Sequence, residues 1–133
     1  IVRIIYRTFI VELPFAMPRT GQRFDGDVFV LINRHSYSTA VNVAAIVKDY
    51  GMGTIVGEKT ADLATTYGAM EQFELPGSAI TVGFPKAHII RPNGNTKPDG
   101  VTPDWPIPSP ITNQAEDVVL QRLLARIRER DAA

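Results

Sequence analysis

Residues 28–60 read VFVLINRHSYSTAVNVAAIVKDYGMGTIVGEKT. VFVLI, from Val28 to Ile32, is a short continuous apolar run, the kind that forms a strand covered on both faces. From Ala40 to Tyr50 the pattern is helical, with Ala44, Ala45 and Val47 giving a nearly all-round apolar surface, and Gly51 and Gly53 end it. TIVGE, from Thr54 to Glu58, reads as the next buried strand. Strand, helix and strand at this spacing favour a right-handed crossover and a parallel pair. The chain is therefore expected to be α/β.

Between strand and helix lies NRHSYSTA, Asn33 to Ala40, which is rich in hydroxyls. Serine is a favoured helix N-cap because its side-chain oxygen accepts an otherwise orphaned backbone N–H. Ser36 and Ser38 both suit that role. The same location suits chemistry. A serine on a tight turn between a buried strand and a helix projects its hydroxyl above the carboxyl edge of the sheet, near N–H donors able to stabilise an oxyanion. The turn lacks the G-x-S-x-G pattern, so it is not the α/β-hydrolase elbow. On the residues alone, cap and nucleophile both stand.

The remaining sequence frames this core. With 133 residues, 44% of them hydrophobic and 21% charged, the chain has the material of one ordinary globular domain. Fourteen basic residues balance fourteen acidic ones, and no basic face suited to nucleic acid stands out. Arg122, Arg126, Arg128 and Arg130 lie in a helix alongside Glu116, Asp117 and Glu129, as on a solvated face. There is no cysteine, which excludes disulfides, thiol catalysis and thiolate metal sites. No apolar run approaches the roughly 18 residues of a membrane span. The first residue is Ile, and no signal-peptide order follows it, so a piece of a longer protein is expected.

Residues 1–27 read as a lead-in: one or two strands in IVRIIYRTFIVEL, then a Pro- and Gly-punctuated connector. Residues 28–108 form the α/β core. Within it, KTADLATTYGAM is a loop long enough to be functional, and EQFEL, AITVGFP and KAHIIRP are three strand candidates. The prolines from Pro92 to Pro110 forbid regular structure over most of that stretch. Residues 113–131 form a C-terminal helix, opened by a capping box of Asn113 and Glu116 with Asp117 in its first turn. Val118, Val119, Leu123, Leu124 and Ile127 supply its apolar face.

The order of these pieces resembles the tail-specific, or C-terminal-processing, serine peptidases, which are related to the tricorn core protease. The likeness rests on an apolar strand ending in Asn33, S-x-S-x-A at Ser36 to Ala40, and a small-residue helix ending in D-x-G at Asp49 to Gly51. It continues through the V-G-E-x-T strand end at Val56 to Thr60, P-N-G at Pro92 to Gly94, and P-D-G-V-x-P-D at Pro98 to Asp104. The resemblance implies a crotonase/ClpP-like α/β fold with a mixed sheet, and proteolysis through an acyl-enzyme. It assigns Ser38 as nucleophile, with Ser36 and Tyr37 as neighbours that shape the turn and contact substrate.

A serine needs a base to lose its proton near neutral pH. The processing-peptidase branch uses a lysine shortly after the G-E-x-T strand end, a place taken here by Leu63. Lys59 lies within GEKT itself and reads as an exposed strand-end lysine. The tricorn-like branch uses a histidine, and His88 is the base candidate, with Asp99 as its acidic partner; His35 reads as a solvent-facing turn residue. No glycine-rich oxyanion segment occurs in residues 1–27.

No cofactor and no metal are implied. The expected partners are a peptide or protein substrate and either a second copy or the remainder of the parent chain, with neither nucleic acid nor a membrane span. The resemblance implies a periplasmic or secreted setting. A non-catalytic peptide- or ligand-binding module on the same fold is the competing reading. An acyl-CoA enzyme of the crotonase type is a third reading, and no residue pattern supports it.

Overall fold

The computed structural model of the chain describes residues 2–6, 10–13, 20–21, 23–111 and 116–132, the first two segments as backbone. Its elements are β1 (Val2–Tyr6), β2 (Ile10–Leu13), β3 (Phe29–Ile32), α1 (Thr39–Asp49) and β4 (Thr54–Gly57). They continue with β5 (Thr66–Glu74), β6 (Thr81–Ile90), β7 (Trp105–Pro106) and α2 (Val118–Asp131). The α/β fold carries parallel and antiparallel pairing, as expected. The two kinds are divided between two sheets, a parallel one ordered β3-β4-β7 and an antiparallel one ordered β2-β1-β6-β5.

The parallel sheet explains why VFVLI and TIVG are continuously apolar. Neighbouring residues of a strand face opposite sides. Ile55 joins one cluster, with Ile32, Val41, Ala44, Ala45, Ala64 and Val101, while Val56 joins another, with Ile107, Val119 and Leu123. Helix α1 covers the first face, and its alanines let it close on the strands. Helix α2 covers the second, where Phe29 and Trp105 also pack, with ring centroids 5.3 Å apart, and the Arg126 guanidinium lies 4.1 Å over the Trp105 ring. At the end of β4, Gly57 adopts φ 120°, and a Cβ there would lie 2.0 Å from the Ile32 carbonyl oxygen. Only glycine allows the two strand ends to lie this close.

Three elements differ from the sequence reading. The loop after β4 is shorter than KTADLATTYGAM, because TYGAM pairs with β6 and extends EQFE into one strand. AITVGFP and KAHIIRP contribute to a single ten-residue strand that runs through Pro85. Pro85 pairs with Met70 of β5, and the described pairing of β6 with β1 covers Ala87 to Ile90. Helix α2 starts at Val118 rather than 113. Its cap is Asp117, whose carboxylate accepts the Leu120 N–H at 3.0 Å. Asn113 lies outside the described residues.

The antiparallel sheet is fastened to α1 by a buried ion pair. Arg91, just past β6, donates from Nε to Asp49 Oδ2 at 3.0 Å and from Nη2 to Asp49 Oδ1 at 2.7 Å. Asn93 adds its backbone N–H and Nδ2 to the same carboxylate. The two charged side chains are 10% and 4% exposed, so removing one strands the other away from water. Arg91→Ala is expected to lower the unfolding free energy by about 3–5 kcal/mol, measured by urea denaturation.

Candidate functional site

The turn after β3 is locked by its own side chains. Ser36 Oγ accepts the Asn33 N–H at 3.0 Å, and the Ser36 N–H donates to the Asn33 carbonyl at 3.0 Å. Asn33 Oδ1 accepts the His35 N–H at 2.8 Å. From the same turn, Arg34 Nη2 reaches Glu58 Oε1 at 3.0 Å and the Ser109 carbonyl at 3.2 Å, and the Ser109 N–H also donates to Glu58 Oε1. That N–H, more than the Arg34 guanidinium, holds the Glu58 carboxyl below its ordinary range against partial desolvation.

Ser38 follows with φ 54° and ψ −122°, a backbone conformation that L-residues rarely adopt. Such a conformation costs on the order of 1–3 kcal/mol and persists where the surroundings over-determine it. Ser38 stands at the N-cap position of α1, yet its side chain makes no cap hydrogen bond. Its carbonyl accepts the Val41 and Asn42 N–H groups at 3.0 and 3.2 Å, and the residue is exposed. The hydroxyl is thus free of the helix end it could have capped. The following N–H, on Thr39, has no partner among the described residues.

The Ser38 N–H donates to Asp62 Oδ2 at 2.6 Å. Asp62 lies on the loop between β4 and β5, which is held from behind by buried Thr60. Thr60 Oγ1 donates to the Asp62 carbonyl at 2.8 Å and accepts the Val101 N–H at 2.9 Å. Gly100 packs so tightly here that a Cβ would stand 2.1 Å from the Thr60 carbonyl oxygen. The P-D-G-V segment therefore underpins the loop that touches Ser38.

The other sequence candidates fall in separate places. His88 sits on β6 opposite Tyr67 and stacks on its ring, with centroids 4.7 Å apart and planes at 20°. Asp99 pairs with Lys59 at 2.6 Å and accepts the Gly100 N–H at 2.9 Å. The Lys59 ammonium is the main cause that holds the Asp99 carboxyl below its ordinary range. Among the described residues, no hydrogen bond or ion pair joins His88 to Asp99, and no lysine or histidine side chain is bonded to Ser38. His35 and Tyr37 are exposed on the turn, and Leu63 is partly buried in the loop. Asp62 was not singled out by sequence reasoning. Its one signal is an acid beside Leu63, where the resemblance places a lysine.

An apolar cavity of about 130 Å³ lies along α1, lined by Asn42, Ala45, Ile46, Ala64 and Ile89 among others. Asn42 is one helical turn beyond Ser38, and Ala64 is two residues beyond Asp62. Among the described residues no group of three or more histidine, aspartate or glutamate side chains gathers to hold a metal, and no helix is long and apolar enough to cross a membrane.

The carboxylates that tie these loops together make stability depend on pH. Glu58 and Asp99 have folded-state values below their unfolded ones, so their contribution is present above the unfolded values and is lost as pH falls through the folded ones. Asp104 behaves alike: burial opposes the shift, but the Lys48 ammonium and the Ile55 N–H outweigh it. Thermal unfolding midpoints are expected to drop below about pH 4, and Glu58→Gln should flatten that response.

The profile of peptidase family S41 matches residues 8–107. Among solved structures, the chain is similar to mature CPAF, with 25% identity, a TM-score of 0.53, and coverage of 67% of this chain and 17% of that one. It is similar to the photosystem II D1 C-terminal processing protease, with 23% identity and a TM-score of 0.60, over 80% of this chain and 27% of that one. A candidate peptidase from Parabacteroides merdae also matches, with 23% identity and a TM-score of 0.60, over 83% of this chain and 34% of that one. The chain thus spans about a third or less of the solved chains it matches. No curated protein matches it.

Proposed function

Because the chain belongs to peptidase family S41, we propose that it carries the nucleophile of a serine endopeptidase of the tail-specific, C-terminal-processing class. The observation that carries this reading is the state of Ser38: a strained backbone at φ 54° with its hydroxyl withheld from the helix cap. A serine that served only as a cap would relax into the extended conformation typical of N-caps and use its oxygen on an N–H of the first turn.

In the proposed reaction, Ser38 Oγ attacks the carbonyl carbon of a peptide bond and its proton passes to a general base. The tetrahedral oxyanion is stabilised by backbone N–H donors at the head of α1, where the Thr39 N–H is free among the described residues. Collapse expels the amine, and water then hydrolyses the acyl-enzyme. The apolar cavity one turn along α1 suits an aliphatic side chain of the substrate. With this function goes a periplasmic or secreted setting, supported by the family alone.

A non-catalytic peptide-binding module is the second reading. It is favoured by Leu63 where the processing branch carries lysine, and by the absence, among the described residues, of a lysine or histidine bonded to Ser38.

A fluorophosphonate probe separates the two in the full-length protein. The peptidase reading expects a covalent adduct on Ser38 that Ser38→Ala abolishes; no Ser38-dependent adduct would leave the binding module. Stability supplies an independent check. Ser38→Gly relieves the positive φ and removes no cap bond, so it is expected to stabilise the fold by about 1 kcal/mol, read by chemical denaturation. A serine acting as a cap would give a small loss instead.

A further inference from the structure

We infer that Asp62 is a positioning residue for the proposed nucleophile: its carboxylate anchors the Ser38 N–H and keeps the hydroxyl out of the helix cap. The inference rests on Ser38 being the nucleophile. Two states compete at the head of α1. In one, Ser38 takes the extended φ of an ordinary N-cap and its Oγ accepts an N–H from Ala40 or Val41. In the other, which the structure shows, φ is 54°, the hydroxyl is free, and the backbone bears the strain.

The bonds on the carbonyl side of Ser38, from Val41 and Asn42, are ordinary helix bonds and do not choose between the two states. The choice falls to the amide side. There the Ser38 N–H meets Asp62 Oδ2 at 2.6 Å, a short contact to an acceptor that is charged when ionised. Charge-assisted bonds of this kind are roughly twice as strong as neutral ones. Rotating Ser38 back to the cap conformation would turn its N–H away from the carboxylate.

The anchor is itself fixed. Thr60 donates to the Asp62 carbonyl, and Val101 donates to Thr60. Leu63, beside it, offers no polar group, so Asp62 is the polar side chain that this part of the loop presents to the nucleophile turn.

The test compares the second-order rate of fluorophosphonate labelling at Ser38 in the full-length wild type, Asp62→Ala and Asp62→Asn. Thermal midpoints and the Ser38 amide proton shift are read alongside. Asp62→Ala is expected to slow labelling on the order of tenfold or more while the fold persists, with the Ser38 amide proton moving upfield. Asp62→Asn keeps an acceptor oxygen at the same reach and should recover most of the rate. If Asp62→Ala fails to fold, Asp62→Ser, which is too short to reach the amide, is read in the same way. An unchanged rate in the alanine or serine variant overturns the inference. A faster rate also overturns it, by showing that the carboxylate obstructs Ser38. No Ser38 adduct in the wild type removes the nucleophile and the positioning role together, an outcome distinct from the others because it is read without any change at Asp62.

Discussion

Strand β4 has no solvent face, and the arrangement of the domain follows from that. Ile55 and Val56 point to opposite sides and are both fully buried. One apolar layer must therefore cover each side, which brings α1 to one face and α2 to the other. A strand enclosed in this way has its ladder partners on both edges, β3 and β7, and both run parallel to it. The carboxyl ends of such a sheet are where an open α/β fold exposes loops and helix N-termini together. Ser38 stands there because the turn out of β3 leads directly into the helix that covers Ile55.

Around the sheet, polar groups do the fastening that the apolar layers cannot. Arg34, Glu58 and Ser109 brace the turn after β3 against the segment after β7. Asp104 accepts the Ile55 N–H at 2.9 Å and pairs with Lys48 near the far end of α1. Thr60, Gly100 and Val101 form a third brace beneath Asp62. Each joins residues distant in sequence, so the strained serine sits on a rigid support. A conformation that costs free energy locally can persist only on such a support.

How much of this was legible in the sequence depended on the range of the forces involved. VFVLI, the α1 stretch and TIVGE were readable because burial on both faces leaves an unbroken apolar signature in each short run. The turn between them was readable as a place where a serine could cap or react. Its backbone state was not, since the Ser38 N–H finds its acceptor on Asp62, 24 residues away. Pro85 misled for a similar reason: whether a proline interrupts a strand depends on whether a neighbouring strand needs its N–H, and the pairing of Pro85 with Met70 of β5 is a tertiary fact. The capping box at Asn113 and Glu116 was a valid local signal, but Asp117 caps the helix instead. His88 and Asp99 illustrate the limit for the site. Both have the right chemistry, and their observed partners, Tyr67 and Lys59, come from elements that no local pattern connects to them.

The brace beneath Asp62 also bears on the order of events during synthesis. Chains emerge from the N-terminus, and segments fold as their partners become available. Ser38 is followed, about sixty residues later, by Gly100 and Val101, which secure Thr60 and through it the Asp62 loop. The support of the Asp62 loop, and with it the observed setting of Ser38, is therefore complete only once the segment after β6 has been made.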